Sequence, residues 1–301
     1  MRTPWGLLAW LLAAPALADA PRAVLKLEQQ VLIAPAPVDG HRPRELSALA
    51  WDEAAGELVA ASDRGLLFRF VAHDADGQLV AAPRSAHRIP QGRNAEALHV
   101  RPVGPGAKDQ LWMLTETGGI TVRLGSHGEA LESRPWPMAR GKGTGAEALA
   151  WTPEHGFLVA PQRARQRRAA VDARAAGALH AVHADGGRWW AFEPAAPGSH
   201  VKAIEALAGS RLLVLERVLM DAPGIGGRSY RTVLRLLPLR GCGQAQACHA
   251  AEVPVQPPLP DGPENFEGLA CAPDGRCWIV NDNGPDTAAP TRLLQLRLEP
   301  R

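Results

Sequence analysis

Leu46-Ser47-Ala48-Leu49-Ala50-Trp51 leads through an Asp/Gly turn at 52–56 into Glu57-Leu58-Val59-Ala60-Ala61-Ser62-Asp63, and this phrase decides the fold because it recurs. Ala95-Glu96-Ala97-Leu98 precedes Leu111-Trp112-Met113-Leu114-Thr115-Glu116, and Ala146-Glu147-Ala148-Leu149-Ala150-Trp151 precedes Phe157-Leu158-Val159-Ala160-Pro161-Gln162. Ile204-Glu205-Ala206-Leu207 with Leu212-Leu213-Val214-Leu215-Glu216, and Phe266-Glu267-Gly268-Leu269-Ala270 with Trp278-Ile279-Val280-Asn281-Asp282, complete the series. Each apolar run is too short for a typical helix and is bounded by Asp, Gly or Pro, which is the pattern of hairpins. The lead positions 47, 96, 147, 205 and 267 recur every 49 to 62 residues, near the period of a β-propeller blade. Further strand-like segments follow the hairpins, among them 66–72, 78–82, 179–184 and 188–192, so each repeat reads as four strands.

The last repeat falls one strand short after residues 292–298, and residues 23–33 form an unassigned strand near the N-terminus. If that strand completes the last blade, the expected fold is an all-β propeller of five four-stranded blades, latched by its two ends; six blades is the alternative if the long fourth repeat hides another. A sandwich or open solenoid has no reason to repeat one phrase five times. Composition agrees: 30 Gly and 27 Pro among 301 residues supply the turns of many short strands. The 33 basic against 31 acidic residues carry no electrostatic footprint of a nucleic-acid binder.

Residues 1–18 read as a signal peptide: Arg2 precedes a short apolar core, and Ala16-Leu17-Ala18 is a small-x-small cleavage site. The stretch is too short to span a bilayer, and no later segment is long and apolar enough, so one propeller domain at 19–301, periplasmic or secreted and monomeric, is expected. Export makes disulfides the natural use of four cysteines. Cys242/Cys248 and Cys271/Cys277 each bracket a short turn, so local pairing 242–248 and 271–277 is expected; a zinc site lacks the CxxC spacing. The arginine-rich stretch from Arg163 to Arg174 reads as a solvated loop or as a contact for an anionic partner.

In a blade the start of the innermost strand and the end of the second lie at one rim of the central channel. The first set is Ser47, Glu96, Glu147, Glu205 and Glu267; the second is Asp63, Glu116, Gln162, Glu216 and Asp282. Glutamates gathered on one axis repel unless protonated, paired with a cation or bridged by basic side chains, for which Arg64, Arg93, Arg163, Lys202 and Arg217 are at hand. One reading is a calcium site built from Glu96, Glu147, Glu205, Asn265, Glu267 and Asp282, with Glu147, Glu205 and Glu267 as catalytic groups and the five basic residues holding a small-molecule ester or phosphate. The other is that each glutamate locks the ring by pairing with backbone or arginine. Ser47 as a nucleophile with His200 or His99 as base is weaker, since no base is placed near it by sequence. No G-x-S-x-G elbow, P-loop or H-E-x-x-H occurs.

The phrases Leu46-Ser47-Ala48-Leu49 with Ser62-Asp63-Arg64-Gly65, Asn94-Ala95-Glu96-Ala97, Gly145-Ala146-Glu147-Ala148, Lys202-Ala203-Ile204-Glu205-Ala206, Glu264-Asn265-Phe266-Glu267-Gly268-Leu269 and Val280-Asn281-Asp282-Asn283 together resemble the phytase-like domain family, also described as "esterase-like activity of phytase". The resemblance spans nearly the whole chain after residue 18. It implies a propeller in the periplasm acting on phosphate esters with calcium, and the function expected is that of an exported, calcium-assisted hydrolase of a phosphate or carboxylic ester. The chain departs from the family pattern at Ala48, where the motif has Gly, and at Gln162, where an acid is frequent. A non-catalytic periplasmic propeller that grips a ligand or partner with its acidic mouth is the alternative function.

Overall fold

The computed structural model describes residues 23–104, 107–116, 119–136, 145–166, 178–220, 229–243, 246–284 and 289–300, with side chains at 91–93, 165–166 and 300 left aside. The segment read as a signal peptide lies outside these residues, as does most of the arginine-rich stretch after Gln166. Among the described residues the chain is all-β and forms five sheets, which are the five blades.

Blade 1 runs outward from Leu46–Asp52 through Glu57–Ser62 and Arg64–His73 to Leu79–Arg93. Blade 2 repeats this with Ala95–Arg101, Gln110–Thr115, Ile120–Leu124 and Ala130–Pro135. Blade 3 has Ala146–Thr152, Gly156–Pro161, Ala178–Ala184 and Trp189–Phe192, with Arg165–Gln166 as an extra short strand on Ala178–Ala184. Blade 4 is His200–Leu207, Arg211–Met220, Ser229–Pro238 and Ala251–Glu252. Blade 5 takes Asn265–Cys271, Arg276–Asp282 and Arg292–Pro300 from the C-terminal end and Ala23–Leu32 from the N-terminal end. That last pairing is antiparallel from Ala23↔Pro300 to Leu32↔Arg292, so the two ends latch the ring as expected. A further short strand, Val255–Gln256, lies parallel to Ala23–Leu32 at the outer edge.

Apolar side chains explain why the sheets stand as blades. Strand residues alternate between two faces, and here both faces are covered by neighbouring blades, so the second strands are buried along almost their whole length. Five apolar clusters fill the five interfaces: Phe68 with Trp278 between blades 1 and 5, Leu67 with Met113 between 1 and 2, Trp112 with Phe157 between 2 and 3, Trp190 with Val214 between 3 and 4, and Leu215 with Ile279 between 4 and 5. Each fully buried large side chain contributes about 1.5–3 kcal/mol by removal from water. Trp51 and Trp151 act as wedges: Trp51 stacks on Trp278 with ring centroids 4.7 Å apart, and Trp151 packs on the cluster between blades 2 and 3.

Both expected disulfides are present, Cys242–Cys248 and Cys271–Cys277. The second joins directly opposed residues of one hairpin. Among the described residues no helix is long and apolar enough to cross a membrane.

Candidate functional site

Every blade carries the same irregularity where its inner strand begins. The ladder between the first and second strands slips at 46/48, 95/97, 146/148, 201/203 and 266/268, leaving Ser47, Glu96, Glu147, Lys202 and Glu267 as the bulged residues. A bulge re-aims its side chain, and the five together make a ring at one mouth of the channel. The structure therefore corrects the fourth repeat: Lys202, and not Glu205, is the counterpart of the lead glutamates. The apolar steps show why, since Lys202-Ala203-Ile204 matches Glu147-Ala148-Leu149, whereas the phrase beginning at Ile204 shares its glutamate with the other repeats but not their register.

The second ring shifts likewise. Asp63, Glu116 and Gln162 donate their backbone N–H to the carbonyls of Glu45, Asn94 and Gly145, just ahead of the inner strands, and Asp282 opposes Asn265. In blade 4 that place opposes His200 and belongs to Arg217, not Glu216. The mouth is thus lined by Asp63, Glu116, Gln162, Arg217 and Asp282, and blade 4 supplies a cation at both levels where other blades supply mostly acids. Glu45 (φ 52°) and Asn94 (φ 58°) hold the left-handed backbone conformation, an uncommon state for residues with side chains.

Lys202 is 3% exposed and reaches both Glu147 and Glu267, the latter at 2.8 Å. Burial alone would lower its pKa, but the Glu267 and Glu147 charges more than offset this and hold it protonated. Gln162 Nε2 donates to Glu147 at 2.9 Å, and Asn265 Nδ2 donates to Glu267 at 2.6 Å. Arg217 donates to Asn265 Oδ1 and, at 3.1 Å, to Glu267; its other amino group lies 3.1 Å from His200 Nδ1. His200 is held down to about 4 by burial and by the Arg217 charge.

The remaining acids are less well served. Burial pushes Asp63 up to about 7, with Glu267 and Asp282 adding to the shift, and Asp63 Oδ1 is buried with no hydrogen-bond partner. Burial and the Glu147 charge push Glu96 well above the usual carboxylate range, and Asp282 rises for burial and for Glu267. Two carboxyls of such different acid strength in one mouth are of the kind that can serve as a base and an acid.

The other residues singled out by sequence fall elsewhere. Glu205 sits at the opposite end of the channel, 3.8 Å from His99, where burial pushes its carboxyl to about 8 and lowers His99 to about 4. Leu49, Leu98, Leu149, Ile204 and Leu269 plug the channel between the two ends, leaving a void of about 10 Å³, no larger than one water needs. Arg64 pairs with Glu45, Arg163 is exposed at the rim with its backbone bridged to His200, and the Arg93 side chain lies outside the described set. Ser47 Oγ donates to the Ala95 carbonyl, so neither His99 nor His200 serves it as a base. Asp63 was legible in the sequence as an acid at the mouth; the burial of its Oδ1 and its raised pKa were not.

The residues do not fit the calcium site expected from the sequence. Among the described residues no three His, Cys, Asp or Glu side chains converge as a metal requires, Glu205 is at the wrong end, and Asn265 is engaged with Arg217 and Glu267. The cation inside the ring is Lys202, which realises the alternative of basic side chains bridging the glutamates.

Two motif features are structural. A Cβ on Gly268 would lie 2.7 Å from Val280 and 3.0 Å from Leu49, so the close approach of neighbouring inner strands requires glycine. Asn281 accepts from the Arg292 N–H and donates to the Pro290 carbonyl, and Asn283 Oδ1 accepts from the Glu45 N–H at 2.8 Å, tying the last blade to the start of the first; Asp282 between them is left to the mouth.

The family described as phytase-like, "esterase-like activity of phytase", matches residues 42–284. No curated protein matches the chain. Among solved structures the chain is similar to a virginiamycin B lyase from Staphylococcus aureus, with 9% identity over 92% of this chain and 99% of that one and a TM-score of 0.43. It is also similar to a streptogramin B lyase, with 12% identity over 87% and 68% and a TM-score of 0.39. The RRP9 WD40 repeats give 8% identity over 89% and 100% with a TM-score of 0.44.

Proposed function

The chain belongs to the phytase-like family, and from that premise we propose that it is an exported, monomeric hydrolase of phosphate or carboxylic esters working at the mouth lined by Asp63 and Glu96. The observation that carries this reading is the pairing of two carboxyls of different acid strength in one mouth, facing Lys202 and Arg217. Asp63 takes a proton from water as the water oxygen bonds to the phosphorus or acyl carbon. The bond to the leaving oxygen breaks, and Glu96 gives that oxygen its proton. Lys202 and Arg217 stabilise the negative charge that develops in a site with little water to screen it. Glu147 and Glu267, expected as catalytic groups, act here as positioning residues that hold Lys202, because both are engaged with its ammonium. Export rests on the residues read as a signal peptide and on the two disulfides, bonds typical of oxidising compartments.

The clamped Lys202 also favours a second reading, in which the mouth only binds and the glutamates lock the ring. Initial rates on phosphate and carboxylic esters, for the wild type and Glu96→Gln, with calcium or a chelator, separate the two. Hydrolysis that falls at least about 100-fold in the variant and is indifferent to the chelator is the expected result; no turnover of any ester contradicts it.

A further inference from the structure

Beside Asp63, on the outer side of the same mouth, lies an open pocket of about 740 Å³ lined by His41, Arg42, Arg44, Asp63, Arg64 and Arg88. Its volume is in the range of small-molecule sites. Four guanidinium-bearing residues converge on it, and Arg64 alone has an acidic partner, Glu45; among the described residues Arg42, Arg44 and Arg88 have none. Uncompensated guanidinium groups gathered in one concavity repel, and an anion offsets that repulsion while accepting their forked N–H donors.

The pocket is built on a fastened loop. Val38 and His41 exchange two backbone hydrogen bonds of 2.8 Å, and Asp39 Oδ2 accepts from the Ala86 N–H at 2.9 Å, which joins the loop to the outer strand of blade 1. Ser62 Oγ donates to the Arg44 carbonyl at 2.9 Å, and Glu45 N–H donates to Asn283, so Arg42 and Arg44 are presented from a backbone tied at both ends. Such anchoring lowers the ordering cost of binding.

We propose that this pocket is an oxyanion subsite that receives the phosphate of a phosphomonoester. A carboxylate needs a single guanidinium fork, whereas a phosphate dianion with three terminal oxygens matches several. Asp63, whose buried oxygen lacks a partner, lies at the inner edge and meets the bound group from the side of the reacting mouth. The subsite rests on the hydrolase reading only for its consequence: it makes the substrate a phosphorylated ester rather than a neutral one.

Calorimetric titration with inorganic phosphate, with acetate as the comparison anion, tests the subsite without turnover. Wild type should bind phosphate in preference to acetate. Arg44→Gln/Arg88→Gln should weaken phosphate at least tenfold and leave the melting temperature unchanged, while Arg84→Gln, an exposed residue paired with Glu57 on the outer strand, should do neither. In turnover, the double variant should raise KM for p-nitrophenyl phosphate and leave p-nitrophenyl acetate alone. Phosphate that fails to bind wild type, or binds the double variant equally, overturns the subsite even if esters are cleaved. Binding that is lost in the double variant supports it even if no ester is cleaved, and then only the hydrolase reading falls.

Discussion

Glu216 and Arg217 are neighbours in the chain, yet they face opposite sides of one strand and serve two buried charge clusters built on opposite principles. Glu216 is fully buried and saturated: it accepts from the Ala195 N–H at 2.9 Å, from Ser199 Oγ at 2.7 Å and from Arg235 at 2.8 Å, with His180 at 3.4 Å. Burial would raise its pKa, but the His180 and backbone hydrogen bonds prevail and draw it to about 2. Arg217 turns to the mouth, where Asp63 is pushed to about 7 and keeps an oxygen without a partner. A carboxylate that holds the fold has every lone pair engaged; one available for chemistry is buried and left incomplete.

The largest expected effect falls on the saturated cluster. Glu216→Ala removes one partner of a buried ion pair and should cost about 3–5 kcal/mol in urea unfolding; a loss below about 1 kcal/mol would break the contrast. The two clusters also respond to pH in opposite directions. Glu216 has a depressed folded pKa, so its stabilisation is present above the unfolded value of 4.5 and is lost as pH falls toward 2. Asp63 has a raised one, so its contribution is complete below the unfolded value of 3.8 and is lost as pH rises through about 7. Melting curves across pH should therefore lose part of their acid limb in Glu216→Gln and flatten between about 4 and 7 in Asp63→Asn, the window set by that linkage. Replacing both Cys271 and Cys277 by Ser opens a loop with a sequence separation of 6, worth about 2 kcal/mol, and should lower stability by that amount with the mouth's activity intact. The smallest effect belongs to the opposite channel end. Glu205 is already protonated at neutral pH, so Glu205→Gln should change stability by no more than about 0.5 kcal/mol and leave turnover unaltered.

The ring itself was readable because its signal is repetitive: five hairpin phrases, their Asp/Gly turns and the two unmatched end strands all stand in the linear order of the chain. The mouth was readable only in part. Lys202 was displaced from its place by three residues because glutamate identity outweighed the apolar steps around it, and the bulge that fixes the register is a property of the ladder. Glu216 stood in the wrong ring for the same reason, one residue from Arg217. Asp63 and Glu205 are alike on paper, acidic residues in or beside strands; the end of the channel each reaches and a missing partner distinguish them, and both depend on neighbouring blades. The arginine pocket draws Arg42 and Arg44 from a loop, Arg64 from the third strand and Arg88 from the outer strand, a convergence that no local pattern records.

Asp63 is the base on which the proposed chemistry of the mouth depends. The most direct test is the rate of phosphomonoester hydrolysis against pH for wild type and Asp63→Asn, with melting temperatures taken alongside. The wild-type rate should climb through about 7 to a plateau, and the variant should lose that climb and about 100-fold or more of the rate while staying folded with no loss of melting temperature. A variant that hydrolyses the ester at the wild-type rate, with the same rise near pH 7, would contradict the account.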